Sequence, residues 1–182
     1  MIIGNGFLAK LLAPLDNSNL VIFVSGVSDP SCIDPDKFER EETLLNCHIM
    51  QNPEKIILYF GTTTPKESPY AKHKRRMEEL IQKNAPFWTI IRIGPVMTWD
   101  GTGNTFYDFV KRRIMDGQEF KLWTGESRPI LTPDQVYKFT EHWLKGSSLN
   151  TCVSFDGPWK RTEDIVADLE LELGKKANYK VQ

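Results

Sequence analysis

Short apolar segments alternate with amphipathic segments along the first half of the chain. Three apolar runs, at residues 19–25, 55–60 and 87–93, are rich in β-branched and aromatic side chains, and each is followed by glycine. Such runs are typical of strands buried on both faces of a parallel sheet. Between them, apolar residues recur at helical spacing, as Met77 and Ile81 do. The alternation predicts an α/β fold built on a parallel sheet.

Other local signals extend this pattern to both ends of the chain. Residues 1–3 predict a short strand that enters a glycine turn and a short helix. Asp34 and Pro35 are typical of an N-cap and a first helical residue, and they predict a helix that runs to Leu45 or His48. Further predicted elements are helices at 104–115, 133–144 and 162–173 and strands at 119–123 and 151–155. We expect a core at 1–97 and a small, mixed C-terminal lobe at 98–182, which together form one compact domain.

Composition narrows the classes of function. The 182 residues are 40% hydrophobic and 26% charged, with a formal net charge of −1. The absence of a basic excess argues against nucleic acid or an anionic membrane as a partner. No apolar run is long enough to span a bilayer, and no signal-peptide pattern occurs. Three scattered cysteines without paired spacing are expected to be reduced thiols, which predicts a cytoplasmic protein. The three histidines fall on different predicted elements without nearby carboxylates at ligand spacing, so we expect no metal site.

The first turn carries a glycine pattern. GNGFLA, at residues 4–9, matches G-x-G-x-x-G/A, which lets the backbone approach a pyrophosphate closely. A plain tight turn is the alternative. The same fingerprint expects an acidic residue after the second strand to bind ribose. Asp29 stands at about that position, but beside Pro30 it is equally suited to capping a turn.

A tyrosine and a lysine lie four residues apart near the start of a predicted helix. Tyr70 and Lys74 therefore share one helix face, and a neighbouring ammonium is expected to lower the pKa of the phenol. Tyr70 could then exchange a proton with a substrate oxygen. Just upstream, Thr62 and Thr63 lie at the carboxyl end of a predicted strand, where a threonine hydroxyl can hydrogen-bond the same substrate oxygen. The alternative is a solvated basic helix, on which His73 would be exposed.

Several segments, in order, resemble motifs of the short-chain dehydrogenase/reductase superfamily, and within it the extended type that includes nucleotide-sugar epimerases and dehydratases. The resemblance covers nearly the whole chain. The segments are GNGFLA for the dinucleotide turn, VIFVSGVSDP for the fourth strand and its loop, ILYFGTT for the fifth strand with the catalytic Ser/Thr, SPYAKHK for the tyrosine-lysine helix, TIIRIGPVM for the sixth strand, and GESRPILTPDQVYKF beside the sugar-nucleotide pocket.

The resemblance implies an NAD- or NADP-dependent epimerase, dehydratase or reductase that acts on a nucleotide-activated sugar, with polysaccharide biosynthesis as its setting. Tyr70 would remove a hydroxyl proton while hydride passes to the nicotinamide, Thr62 would orient the oxygen, and Lys74 would hold the nicotinamide ribose and tune Tyr70. Matching the strand residue by residue favours Thr62 over Thr63 for the catalytic position. The implied cofactor-binding residues are Gly4, Gly6, Phe7, Leu8, Ser25, Gly26, Tyr70, Lys74, Pro95 and Val96, and the implied substrate-binding residues are Thr63, Asn104 and Arg128.

The same resemblance implies a shortened fold. If residues 19–26 correspond to the fourth strand of the family, its second and third strands have no counterpart, and Asp29 is not the ribose-binding carboxylate. We therefore expect a shortened Rossmann-type, doubly wound parallel sheet with a small C-terminal substrate lobe. Members of the extended type typically dimerise through the helices that here span 35–48 and 70–82, which predicts a homodimer. The alternative hypothesis is a non-catalytic Rossmann module that binds a nucleotide or a partner protein.

Overall fold

The computed structural model describes residues 1–98, 103–146 and 149–182, and these fall into two compact units. The first unit comprises Met1–Ile93 and Tyr137–Phe155, and the second comprises Gly94–Val136 and Asp156–Gln182. Each unit is formed by two separate stretches of the chain. The boundary at 97/98 that we expect from the sequence instead divides the chain into two continuous parts.

Strands and helices alternate as the sequence predicts. In chain order the elements are β1 Ile2–Ile3, α1 Phe7–Leu12, a 3-10 turn Ala13–Leu15, β2 Leu20–Phe23, α2 Pro35–Gln51, β3 Ile56–Thr62, α3 Pro69–Asn84, β4 Trp88–Ile93, α4 Phe106–Met115, β5 Phe120–Leu122, β6 Ser127–Pro129, α5 Pro133–Gly146, β7 Thr151–Phe155, β8 Trp159–Arg161, α6 Thr162–Leu173 and β9 Tyr179–Val181. Among the described residues, no helix has the length and apolar character needed to cross a membrane.

The first unit is built on a five-stranded parallel sheet in the order β1-β2-β3-β4-β7. One face packs on α2 and α3, and its fully buried core includes Phe23, Tyr59 and Met77. On the other face, the ring of Phe139 in α5 stacks on Phe155 of β7 with centroids 4.3 Å apart. Helices on both faces confirm the predicted doubly wound α/β class.

Caps fix where the two helices of the first face begin. The side chain of Asp34 accepts a hydrogen bond from the Asp36 backbone N–H, and Pro35 opens α2 as expected. The helix continues to Gln51, three residues past the later predicted end. Ser68 caps α3 by accepting a hydrogen bond from the Ala71 N–H at 3.2 Å, which places Tyr70 in the first turn.

The sheet lacks the two strands for which the sequence shows no counterpart. Between α1 and β2 lie the 3-10 turn and a short loop, so β1 pairs directly with β2. All five strands follow in chain order, with β1 at an edge. In open α/β sheets the ligand crevice lies where strand order reverses, and this sheet has no such reversal.

The second unit is a small α/β assembly. Helices α4 and α6 share an apolar core that includes Val110, Ile165 and Leu169. Strand β5 pairs with β9, and β6 pairs with β8. Strands β8 and β9 were not predicted, because they are three residues long and mostly exposed, which leaves no apolar alternation to detect.

We predict that Gly4→Ala destabilises the chain by about 1–3 kcal/mol. Gly4 has φ of +132°, and an added Cβ would lie 2.7 Å from the carbonyl oxygen of Val24. Urea denaturation measures the effect. The control is Gly146→Ala, because its Cβ would meet no atom within 4 Å and it should not destabilise the fold. A Gly4→Ala protein as stable as the wild type would contradict this role for Gly4.

Candidate functional site

The carboxyl ends of β1, β2 and β3 bring three predicted site segments side by side. The glycine turn follows β1, and its Gly4 packs against the backbone of Val24 just after β2. Gly26 follows in the same loop, and Thr62 ends β3. Because parallel strands place their carboxyl ends at one edge of the sheet, these segments form a continuous surface.

Thr62 and Tyr70 meet through their side chains. The Thr62 hydroxyl is close enough to the phenol of Tyr70 to lower its pKa, and Tyr70 is only 9% exposed. Thr62 Oγ1 also accepts a hydrogen bond from the Thr64 backbone N–H at 3.2 Å. The backbone N–H of Thr63 instead donates to the Ile93 carbonyl of the neighbouring strand. The structure thus brings Thr62 to the tyrosine, as the residue-by-residue matching of the strand favours.

Lys74 lies one turn after Tyr70 on the same helix face. Its Nζ is 5.9 Å from the centroid of the Tyr70 ring. The ammonium donates hydrogen bonds to Glu41 Oε1 at 3.0 Å and to the Tyr59 hydroxyl at 3.1 Å. Lys74 is therefore a member of a buried polar cluster, and this excludes the solvated basic helix for this residue.

The expected lowering of the tyrosine pKa is wrong for the chain without ligands. Burial raises the pKa of Tyr70 to about 12, although the neighbouring Thr62 hydroxyl acts in the opposite direction. The charge of Lys74 is compensated by the Glu41 carboxylate, which itself raises the pKa of Tyr70. At neutral pH Tyr70 is consequently an uncharged phenol.

Glu41 of α2 is the centre of this cluster and was missed in the sequence. Its side chain is fully buried, and its carboxylate oxygens are hydrogen-bonded to the groups that surround it. The donors are the Val27 backbone N–H at 2.7 Å, the Tyr59 hydroxyl at 2.8 Å, and His73 Nε2 and Lys74 Nζ at 3.0 Å each. Burial raises the pKa of Glu41, but the bonds from His73, Lys74 and Val27 outweigh it and lower the pKa to about 2.

His73 is buried, not exposed as its neighbours in sequence suggested. Its ring stacks on Phe38 with centroids 4.4 Å apart, and its Nε2 faces Glu41. A polar ring can be buried in this place because the carboxylate satisfies its N–H. Glu41 is four residues before Leu45, so both lie on the apolar side of α2, and this spacing could have indicated that Glu41 is buried. The charged residues around Glu41 in the sequence hid this signal.

Two predicted cofactor-binding glycines have different surroundings. Gly6 is exposed and caps α1, and an added Cβ would meet no atom within 4 Å. At Gly26, a Cβ would lie 2.4 Å from Glu41 Oε1 and 2.8 Å from Lys74 Nζ. Gly26 thus makes room for the buried ion pair, whereas Gly6 leaves its backbone open. Phe7 and Leu8 begin α1 and are half-buried.

Asp29 caps a turn. Of the two roles considered for Asp29, turn cap and ribose-binding carboxylate, the structure supports the turn cap. Its Oδ1 accepts hydrogen bonds from the Ser31 backbone N–H at 2.9 Å and hydroxyl at 2.7 Å, which lower the pKa of Asp29. The turn lines an open cleft of about 590 Å³ on the β2–α2 loop, together with Lys37 and Arg40. Arg40 in turn donates to the Ser25 hydroxyl at 3.1 Å.

The remaining predicted site residues belong to the second unit. Pro95 and Val96 form a short parallel bridge with Leu131. Asn104 is exposed just before α4. Arg128 pairs with Glu126 at 2.7 Å and lies over the Phe106 ring. Their cofactor and substrate roles stay predictions. Within the described residues, no three His, Cys, Asp or Glu side chains group as metal ligands do.

Comparison with known proteins identifies the fold. No family model matches the sequence, and no curated protein matches it. Among solved structures, the UDP-glucuronic acid 4-epimerase from Bacillus cereus, in complex with UDP-glucuronic acid and NAD, superposes with a TM-score of 0.74 at 15% identity, over 97% of this chain and 65% of that protein. This chain has the fold of UDP-sugar 4-epimerases.

Two further structures agree with this epimerase fold. MoeE5 in complex with UDP-glucose and NAD gives a TM-score of 0.73 at 13% identity, over 95% of this chain and 68% of MoeE5. The UDP-glucose 4-epimerase of Thermus thermophilus, in complex with NAD, gives 0.68 at 14% identity, over 89% of this chain and 64% of that enzyme. The chain thus spans 64% to 68% of the length of these proteins. At the level of the fold, they confirm the resemblance to the extended short-chain dehydrogenase/reductases.

We predict that Glu41 makes the chain sensitive to acid. Its pKa of about 2 in the folded chain lies below the ordinary value of 4.5, so the unfolded chain binds more protons between these values. The stabilisation is fully present above about pH 5 and is lost as the pH falls through about 2, with a size on the order of 3 kcal/mol. Denaturant unfolding at several pH values measures this loss.

Two neighbouring variants separate this effect from general acid denaturation. Glu41→Gln should show a smaller decrease of unfolding free energy between pH 5 and 2 than the wild type. Glu42→Gln removes a carboxylate that pairs with the exposed Arg76 and should keep the wild-type slope. Equal slopes for the wild type and Glu41→Gln would show that Glu41 is not the acid-sensitive group.

Proposed function

We propose that this chain binds an NAD-type dinucleotide at the carboxyl ends of β1, β2 and β3 and acts on a nucleotide-activated sugar as an epimerase, dehydratase or reductase. The observation that carries the proposal is that Thr62 and Tyr70 are neighbours beside Lys74, whose Nζ is 5.9 Å from the centroid of the Tyr70 ring. This pair lies on the same edge of the sheet as the glycine turn, where ligands bind in α/β proteins.

The glycine turn fits the pyrophosphate of a dinucleotide. Gly4 has a backbone conformation that few other residues adopt, and the exposed Gly6 has no side chain to obstruct a phosphate. Ser25 and Gly26 continue this surface towards Lys74. The strands that would flank the adenosine end in the family are absent from this sheet. The residues present therefore do not distinguish NAD from NADP.

Tyr70 and Thr62 supply the proton chemistry. A bound nicotinamide would supply or accept hydride at the sugar carbon, the redox step that protein side chains cannot perform. The resting phenol of Tyr70 suits the direction in which it donates its proton to a carbonyl oxygen, and the Thr62 hydroxyl hydrogen-bonds the same oxygen. In the reverse direction, the Tyr70 phenolate that remains after this donation would take up the proton of the sugar hydroxyl.

The substrate class is inferred from the fold neighbours. The Bacillus cereus epimerase binds UDP-glucuronic acid and MoeE5 binds UDP-glucose. A cation such as Arg128 suits the diphosphate of such a substrate, and Thr63 and Asn104 offer polar groups for the sugar. A homodimer through α2 and α3, a cytoplasmic location and a role in polysaccharide biosynthesis complete the proposal.

A non-catalytic nucleotide-binding module is the second candidate. The observations that favour it are the buried phenol of Tyr70, with its pKa raised to about 12, and the absence of a reversal in strand order. Such a module would use the glycine turn but not the tyrosine. The two candidates therefore differ in what the phenolic hydroxyl does.

Dinucleotide titration of Gly6→Ala tests the binding site. We predict that the wild type binds at least one of NAD, NADH, NADP and NADPH, and that Gly6→Ala weakens this affinity about tenfold or more while unfolding with the wild-type midpoint. The reason is that a methyl group at Gly6 meets no protein atom but obstructs an approaching phosphate. Gly146→Ala is again the matched control and should bind as the wild type does. The absence of wild-type binding at millimolar concentration would reject the proposed function.

Tyr70→Phe distinguishes the enzyme from the module. With UDP-glucose and UDP-glucuronic acid as substrates, we predict that product formation decreases by about 10²-fold or more in Tyr70→Phe, because the proton donor is lost. Dinucleotide affinity should change by less than about threefold, which is about 0.7 kcal/mol. Chromatography of the sugar nucleotides measures turnover. Equal turnover by Tyr70→Phe and the wild type would exclude the catalytic role of this tyrosine.

A further inference from the structure

Lys74 has a defined position at the ligand end of the sheet. Its Nζ lies against the Gly26 backbone, where a Cβ would be 2.8 Å away, and one helical turn after Tyr70. A lysine side chain has many rotamers, so its ammonium has a defined position only where partners hold it. The groups that hold Nζ therefore decide where its charge lies.

Glu41 and Tyr59 hold the ammonium of Lys74. Lys74 Nζ donates one hydrogen bond to Glu41 Oε1 at 3.0 Å and another to the Tyr59 hydroxyl at 3.1 Å. These two bonds use two of the three N–H donors of the ammonium. Tyr59 itself donates to Glu41 Oε1 at 2.8 Å. Both contacts of Lys74 thus depend on the carboxylate.

The carboxylate of Glu41 is fixed by groups other than Lys74. Oε2 receives the Val27 N–H at 2.7 Å and faces His73 Nε2 at 3.0 Å, while Tyr59 binds Oε1. These donors come from the β2–α2 loop, α3 and β3, so the acceptor is in place independently of the lysine. The position of Lys74 therefore depends on Glu41 more than the position of Glu41 depends on Lys74.

The electrostatics of the cluster agree with this geometry. Burial lowers the pKa of Lys74, and the Glu41 carboxylate acts against this effect. The titratable groups around the ammonium come from three elements. They are Glu41 on α2, Tyr59 on β3, and Tyr70, His73 and Glu78 on α3. Among them, Glu41 is the carboxylate in direct contact with Nζ.

We propose that Glu41 is a positioning residue that holds the Lys74 ammonium in place for the nicotinamide ribose, an inference that rests on the proposed function. Glu41 acts through Lys74 and touches no substrate. An amide in its place would keep the shape of the cluster but would remove the charge that opposes the lysine.

The test compares Glu41→Gln with Glu78→Gln in the full-length protein. Glu78 is a matched control, because it is also buried and ion-paired, but its partner is Arg92, at 2.6 Å. NADH fluorescence gives the affinity of each variant, and NMR titration of ¹³Cε-labelled lysine gives the pKa of Lys74, with Lys74→Met to assign the signal. If Glu41→Gln does not fold, Glu41→Asp against Glu78→Asp asks the same question with the charge retained but withdrawn by one methylene.

We expect Glu41→Gln to weaken NADH binding about tenfold or more and to shift the Lys74 titration to lower pH. Glu78→Gln should weaken binding by less than about threefold and shift that titration less. Equal affinities and equal Lys74 titrations in the two variants would overturn the proposal. If the wild type binds no dinucleotide, the proposed function fails, and an unchanged Lys74 titration in Glu41→Gln would then separately refute the anchoring by Glu41.

Discussion

The buried Glu41 carboxylate joins the loop, strand and helix that surround it at the candidate site of the first unit. A carboxylate without water is costly unless each oxygen is hydrogen-bonded, and here donors from the β2–α2 loop, β3 and α3 converge on it. The same contacts explain why residue 26 is glycine, why His73 is buried and why Lys74 has a fixed place. One charged side chain of α2 thus joins the packing of the fold to the geometry of the candidate site.

The shortened sheet provides residues for the pyrophosphate and nicotinamide ends of a dinucleotide, but no strand beside the adenosine end. The glycine turn, Thr62, Tyr70 and Lys74 stand along three adjacent strand ends. Beyond β1 the described chain provides no paired strand, so the region that would receive adenosine is less enclosed than in a sheet with a strand reversal. Any dinucleotide would therefore depend mainly on its pyrophosphate and nicotinamide ends for affinity.

Much of the fold followed from local patterns, whereas the centre of the site did not. Apolar runs such as 55–60 and the cap formed by Asp34 and Pro35 are local signals, and the structure contains the strand and helix they predict. The spacing of Tyr70 and Lys74 correctly placed both on one face. The partner of Lys74 lies 33 residues away, and such a contact depends on how two helices pack. The pKa of Tyr70 was mispredicted for the same reason, since burial and a distant carboxylate outweigh the nearby lysine.

A crystal structure of the chain with NADH would show whether Lys74, held by Glu41, binds the dinucleotide. We expect the nicotinamide ribose within hydrogen-bond distance of Lys74 Nζ, with Lys74 still bound to Glu41 and the nicotinamide facing Thr62 and Tyr70. A dinucleotide bound elsewhere, or a Lys74 that leaves Glu41 to reach the ribose, would contradict it.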